Sequence, residues 1–138
     1  MQRSVMKATD VLYQIYGRHH LYGGNVLLYI GLTSTAGKRL TGHEKDWIYY
    51  EYDPVTVRFG SVRQFTDWKE QEKNKRFIKD RKLIQRIESL LIFAHLPADN
   101  NMNKKDIPKR SEGIRIFNSG RLGSLYPELS YKCFNVGR

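Results

Sequence analysis

The stretch VLYQIYGRHHLYGGNVLLYIG, residues 11–31, decides how this chain folds. Its two ends, residues 11–16 and 26–31, are rich in Val, Ile, Leu and Tyr, side chains that fit a pleated and half-buried surface. Between them Gly23, Gly24 and Asn25 supply the backbone freedom that a chain reversal needs. The reading is an antiparallel hairpin with a long loop. If Tyr13 and Tyr29 are direct opposites, both phenols share one face, and Gly31 falls opposite Val11, leaving an open patch of sheet beside them.

Working outward, Ser34 or Thr35 can cap a helix over residues 36–48 by accepting a bond from an otherwise unpaired backbone N–H. At 100° per residue, Ala36, Leu40 and Trp47 form one stripe of that helix, with His43 inside the stripe and Arg39 on its border. Polar groups placed there must have partners. A third strand is expected at residues 55–59. From Asp67 to His95 the pattern turns helical, as one helix or two, and Pro97 with the following ADNN ends it. Leu83, Ile84, Ile87, Leu90, Leu91 and Ala94 make a broad apolar stripe. Glu88 lies at its edge, between Ile84 and Ile92 in projection, where a carboxylate needs a compensating cation. That cation is either an arginine such as Arg39 or a metal ion. Beyond residue 101 the chain offers one short strand candidate, residues 114–117, and a turn-rich tail. The elements add up to one small α/β domain, a three-stranded, mainly antiparallel sheet flanked by helices.

Charge points to the partner. Lys and Arg number 24 against 14 Asp and Glu, a net charge of +10 with a pI near 9.8, which suits a chain that meets polyanions. The excess gathers in residues 69–86, with eight basic and three acidic residues, and in residues 104–121, with six and two. The longest apolar run, residues 89–96, falls far short of the roughly 20 residues that span a bilayer, and no secretory pattern opens the chain. Cys133 is the single cysteine, so there is neither a disulfide framework nor a thiolate zinc site, and His19, His20, His43 and His95 lack zinc-ligand spacing. A cytoplasmic, DNA-directed protein without membrane contact or nucleotide cofactor is expected.

Leu12-Tyr13 followed by Gln14-Ile15-Tyr16, then Tyr29-Ile30-Gly31, Arg39, His43 and ESLLIFAHLPADN over residues 88–100 resemble the GIY-YIG nuclease family. The resemblance runs from Val11 to about residue 101, so residues 1–101 would form the nuclease core and residues 102–138 an extension that packs on it or contacts DNA. The first motif reads VLY where the family has GIY, and Leu32 stands where many relatives carry a lysine.

The resemblance implies a divalent-metal-dependent DNA endonuclease. Tyr13, Tyr29, Arg39, His43, Glu88 and Asn100 would line one site. In it Glu88 would hold Mg²⁺ or Mn²⁺, and Arg39 would grip the phosphate with its planar fork of donors. Tyr13, or His43 in its place, would take a proton from the attacking water. Tyr29 would position water or phosphate, and Asn100 would orient Glu88 or a nearby helix terminus. Gly31 would keep the sheet floor clear. Together with Lys38, Gly31 would border the DNA, and Lys75, Arg76, Lys79 and Lys82 on the long helix with Lys104, Lys105, Lys109 and Arg110 would meet its phosphates. The alternative is a non-catalytic nucleic-acid-binding protein on the same fold. Binding alone needs no buried carboxylate.

Overall fold

In the computed structural model, which describes residues 10–34, 55–67, 69, 76–120 and 122–134, strand β1 (Val11–His19) is the middle of a three-stranded sheet. It pairs antiparallel with β2 (Gly23–Thr33) on one side and β3 (Thr56–Ser61) on the other. A middle strand covered on both faces carries apolar side chains on both. Val11, Tyr13 and Ile15 are buried on one face, and Tyr16 is buried on the other.

The hairpin strands run further than their apolar cores suggest, so the expected long loop shrinks to His20, Leu21 and Tyr22. Left-handed backbone at Gly23 (φ 91°) and Asn25 (φ 56°) makes the reversal this tight. Irregularities in the pairing, between Ile15 and Tyr16 and between Gly17 and His19, then set the register. Tyr13 faces Gly31 and Ile15 faces Tyr29, so the expected pairing of Tyr13 with Tyr29 and of Val11 with Gly31 is displaced by two residues. An even displacement keeps both tyrosines on one face.

Helix α1 (Arg81–His95) starts where Asp80 caps it, its carboxylate accepting from the N–H groups of Lys82 (3.0 Å) and Leu83 (3.4 Å). It ends at Leu96, in left-handed backbone (φ 48°), with Pro97 behind it. Residues 76–80 are not helical, contrary to the expectation from Asp67 onward. Their backbone extends the sheet region instead: Gln64 N–H donates to the Arg76 carbonyl and Ile78 N–H to the Val62 carbonyl, both at 2.9 Å, with Phe77 bridged to Arg63. The expected helix over residues 36–48 lies outside the described residues. Among these residues no helix is long and apolar enough to cross a membrane.

The core forms where the apolar face of α1 meets the sheet. Ile87, Leu90, Leu91 and Ile92 pack with Tyr16, Leu27 and Ile30, and Leu129 closes the cluster from the C-terminal region. Each such side chain contributes about 1.5–3 kcal/mol when fully buried. Beyond residue 101, β4 (Arg115–Phe117) and β5 (Glu128–Ser130) form an antiparallel pair, followed by the short α2 (Tyr131–Phe134). This extension is tied to the core. Ser124 N–H donates to the Tyr16 hydroxyl at 3.0 Å, which itself donates to Gln14 Oε1 at 2.5 Å. Phe65 stacks on Phe117 with ring centroids 4.5 Å apart.

His95 makes a second tie. Its Nε2 accepts from Tyr126 N–H at 2.9 Å, which obliges Nδ1 to carry the proton, and Nδ1–H donates to the Leu91 carbonyl at 2.7 Å. Burial holds the imidazole below its ordinary value of 6.5, and the bond to Leu91 opposes that only in part. A depressed histidine favours the neutral form in the folded state. Its contribution is therefore full above pH 6.5 and lost as pH falls through the lower folded value. Wild type should exceed His95→Leu in urea midpoint at pH 7.5, and that gap should narrow progressively toward pH 5. A gap that stays constant with pH would show that the ring acts only by packing.

Candidate functional site

Tyr13 and Tyr29 stack with ring centroids 5.9 Å apart and planes inclined by 27°. The pair is possible because the residue opposite Tyr13 is glycine: a Cβ at Gly31 would fall inside the Tyr13 ring, against its hydroxyl end. Gly31 therefore does not leave an open patch of sheet. Its floor is occupied by the Tyr13 phenol, because the register places that ring directly over it. Tyr13 is 3% exposed, whereas Tyr29 is only half-buried. Two phenols, one enclosed and one reachable, thus share a face of the sheet opposite to the core of α1.

Asn100 holds the YIG segment from the side. Its Nδ2–H donates to the Ile30 carbonyl at 3.0 Å, and its Oδ1 accepts from Ile30 N–H at 2.9 Å. β2 is an edge strand, so these Ile30 groups point away from β1 and would otherwise lack a ladder partner. The amide stands in for a neighbouring strand. Ala98 N–H to the Leu27 carbonyl (3.1 Å) and Asp99 N–H to the Leu28 carbonyl (2.7 Å) continue the seam. Asn100 orients the strand between Tyr29 and Gly31, not Glu88, and is best described as a positioning residue. Asn100→Ala should cost about 1–3 kcal/mol for each Ile30 group it leaves buried and unpaired. Chemical denaturation measures this directly, and an unchanged stability would mean that solvent replaces the amide.

Glu88 lies on the flank of α1, half-buried between Ile84 and Ile92. It makes no hydrogen bond or ion pair with the described residues. Burial pushes its carboxyl above the usual 4.5, and the positive charge of Arg81 pulls the other way. Arg81 occupies nearly the same line of the helix, about 20° from Glu88 in projection. Its guanidinium is bound at 2.5 Å to Asp10, a buried carboxylate immediately before β1. That ion pair ties the first turn of α1 to the start of the strand that bears Tyr13. Asp10 and Arg81 escaped the sequence reading. They are 71 residues apart, and no periodicity links them.

Arg39, His43, Lys38 and Lys75 lie outside the described residues. Arg76 and Lys79 are exposed, but they precede α1 rather than lying on it, because the ladder with residues 62–64 occupies that stretch. Lys82 is exposed in the first turn of α1. In the extension Lys105, Lys109 and Arg110 are exposed and Lys104 is half-buried. A cavity of about 340 Å³ opens between the sheet, α1 and β4, lined by Leu12, Gln14, Ile30, Leu91 and Ile116. It lies on the face of the sheet away from the phenols. Among the described residues no group of three or more His, Cys, Asp or Glu could hold a metal ion.

No family model, curated protein or solved structure matches this chain.

Proposed function

We propose that this chain is a divalent-metal-dependent endonuclease that hydrolyses phosphodiester bonds in DNA on a GIY-YIG-like domain. The observation that carries the reading is Glu88: a half-buried carboxylate with no hydrogen bond or close ion pair among the described residues, raised in pKa by its burial and only partly offset by the charge of Arg81. Such a group suits a hard cation. Mg²⁺ commonly takes only one or two protein carboxylates and completes its shell with waters and substrate phosphate. Glu88 would hold Mg²⁺ or Mn²⁺, whose charge offsets that of the phosphate and the departing oxygen.

The remaining roles belong to the chain itself. Arg39 would grip the phosphate bidentately and stay charged at any working pH. Tyr13 would accept a proton from the attacking water, with His43 as the other candidate base. Tyr29, the more exposed phenol, would orient water or phosphate by its hydroxyl. Asn100 and Gly31 would act on the geometry, one clamping Ile30 and the other giving the Tyr13 ring its place.

The deciding experiment is incubation of the purified protein with supercoiled, linear, single-stranded and branched DNA, with and without Mg²⁺ or Mn²⁺. Metal-dependent cleavage of at least one substrate is expected. Binding without cleavage under every condition would establish the non-catalytic reading, which the +10 charge by itself also favours.

Affinity should rest on the basic segments. Neutralising Lys105, Lys109 and Arg110 should weaken DNA binding and flatten its log–log salt dependence by about 0.9 for each duplex phosphate that no longer meets a cation. Cleavage at saturating DNA should change far less. An unaltered salt slope would place the DNA path elsewhere.

A further inference from the structure

We propose that the tip of the β1–β2 hairpin is a stacking site for an unpaired nucleobase, which directs the protein to bulged or branched nucleic acid. This rests on the nucleic-acid reading above and specifies its substrate class. The tip is built around His19. His19 stacks on His20 and on Tyr22, each with centroids 4.5 Å apart, at inclinations of 27° and 20°. His19 is the ring shared by both stacks, the middle member of the chain of contacts from His20 to Tyr22.

The shared ring is tied to the loop. His19 Nδ1 accepts from Leu21 N–H at 3.1 Å and from Tyr22 N–H at 3.3 Å, fixing the loop backbone. Nothing described covers the outer rings. Tyr22 is 70% exposed, Leu21 beside it is 73% exposed, and His20 is exposed as well. An ordered loop that presents an aromatic face and a leucine to water marks an interaction surface.

Charge selects the partner. From Val11 to Ser34 the hairpin contains no Asp or Glu, it carries Arg18 at the base of the tip, and the whole chain is +10. A polyanion with flat apolar faces fits both features. Bases inside a duplex are already stacked above and below, so only an unpaired, extruded or terminal base offers a free face. Leu21 would fill the space beside that base as an apolar wedge.

The test uses two DNA duplexes of equal length, one fully paired and one with a single bulged 2-aminopurine, titrated with protein in EDTA so that no cleavage intervenes. Wild type should bind the bulged duplex about tenfold more tightly, equivalent to about 1.4 kcal/mol, and quench the 2-aminopurine. The double substitution H20S and Y22S should remove the preference and the quenching while leaving affinity for the paired duplex intact. His19→Asn places an amide oxygen where Nδ1 accepts, so it keeps the loop bonds but deletes the middle ring. It too should lose the quenching. If the double variant keeps both preference and quenching, the tip is not the site and the proposal is overturned. If wild type binds neither duplex, the nucleic-acid reading falls together with the proposal; binding of both duplexes with equal affinity overturns the tip proposal alone.

Discussion

Glu88→Gln should reduce metal-dependent cleavage by about 10²-fold or more, because the amide keeps the shape of the side chain and removes the charge that would hold a cation in the proposed reaction. The same substitution should raise thermal stability at neutral pH. Burial lifts the Glu88 carboxyl above 4.5, so the fold favours its neutral form. With a raised folded value, the stabilising contribution is present below the unfolded pKa and lost as pH rises through the folded one. At pH 7.5 wild type therefore carries a desolvated charge that the glutamine variant lacks, and the variant should melt higher. Below pH 4.5 both side chains are neutral and the difference should fade. Melting curves at pH 7.5 and pH 4, run beside cleavage assays, separate the two roles of this residue. A variant that melts lower at pH 7.5 would identify Glu88 as half of a structural ion pair, with Arg39 the first partner to examine.

Tyr13→Phe is expected to slow the chemical step by roughly 10² to 10⁴ if the phenol is the general base. The ring that lies over Gly31 is retained, so the sheet and its register should survive and circular dichroism should stay near wild type. Single-turnover cleavage at saturating DNA isolates the step. A change below about fivefold would move proton acceptance to His43. A free phenol has a pKa of about 10, so activity near neutrality requires a nearby positive charge to favour phenolate. Arg39 is the residue proposed for that, and its replacement by lysine should shift the pH–rate profile as well as the rate.

How much of this was legible in the sequence differs from element to element. The hairpin could be read because β-branched and aromatic runs flank Gly23-Gly24-Asn25, and the long helix could be read from Ile84, Ile87, Leu90 and Leu91. Its true start was harder. Asp80 is a clear cap by residue type, yet the helical pattern continues upstream of it, and only the pairing of residues 76–78 with residues 62–64 stops the helix there. The short strand expected at residues 114–117 appears as Arg115–Phe117, but its partner Glu128–Ser130 carried too few strand-forming residues to be seen.

At the candidate site the sequence by itself determined the residue types: two tyrosines on one strand face, a carboxylate at the border of an apolar stripe, a glycine among bulky neighbours, and an asparagine after the helix. These follow from local chemistry and from periods of two and 3.6 residues, which any stretch carries within itself. Tertiary structure alone decided who meets whom. The hairpin irregularities shifted the register so that Tyr13 covers Gly31, the outer edge of β2 claimed Asn100 for Ile30, and the Asp10–Arg81 ion pair tied the first turn of α1 to the start of β1. The last two partnerships join groups 70 and 71 residues apart, where backbone hydrogen bonding and charge burial are satisfied only by the assembled chain.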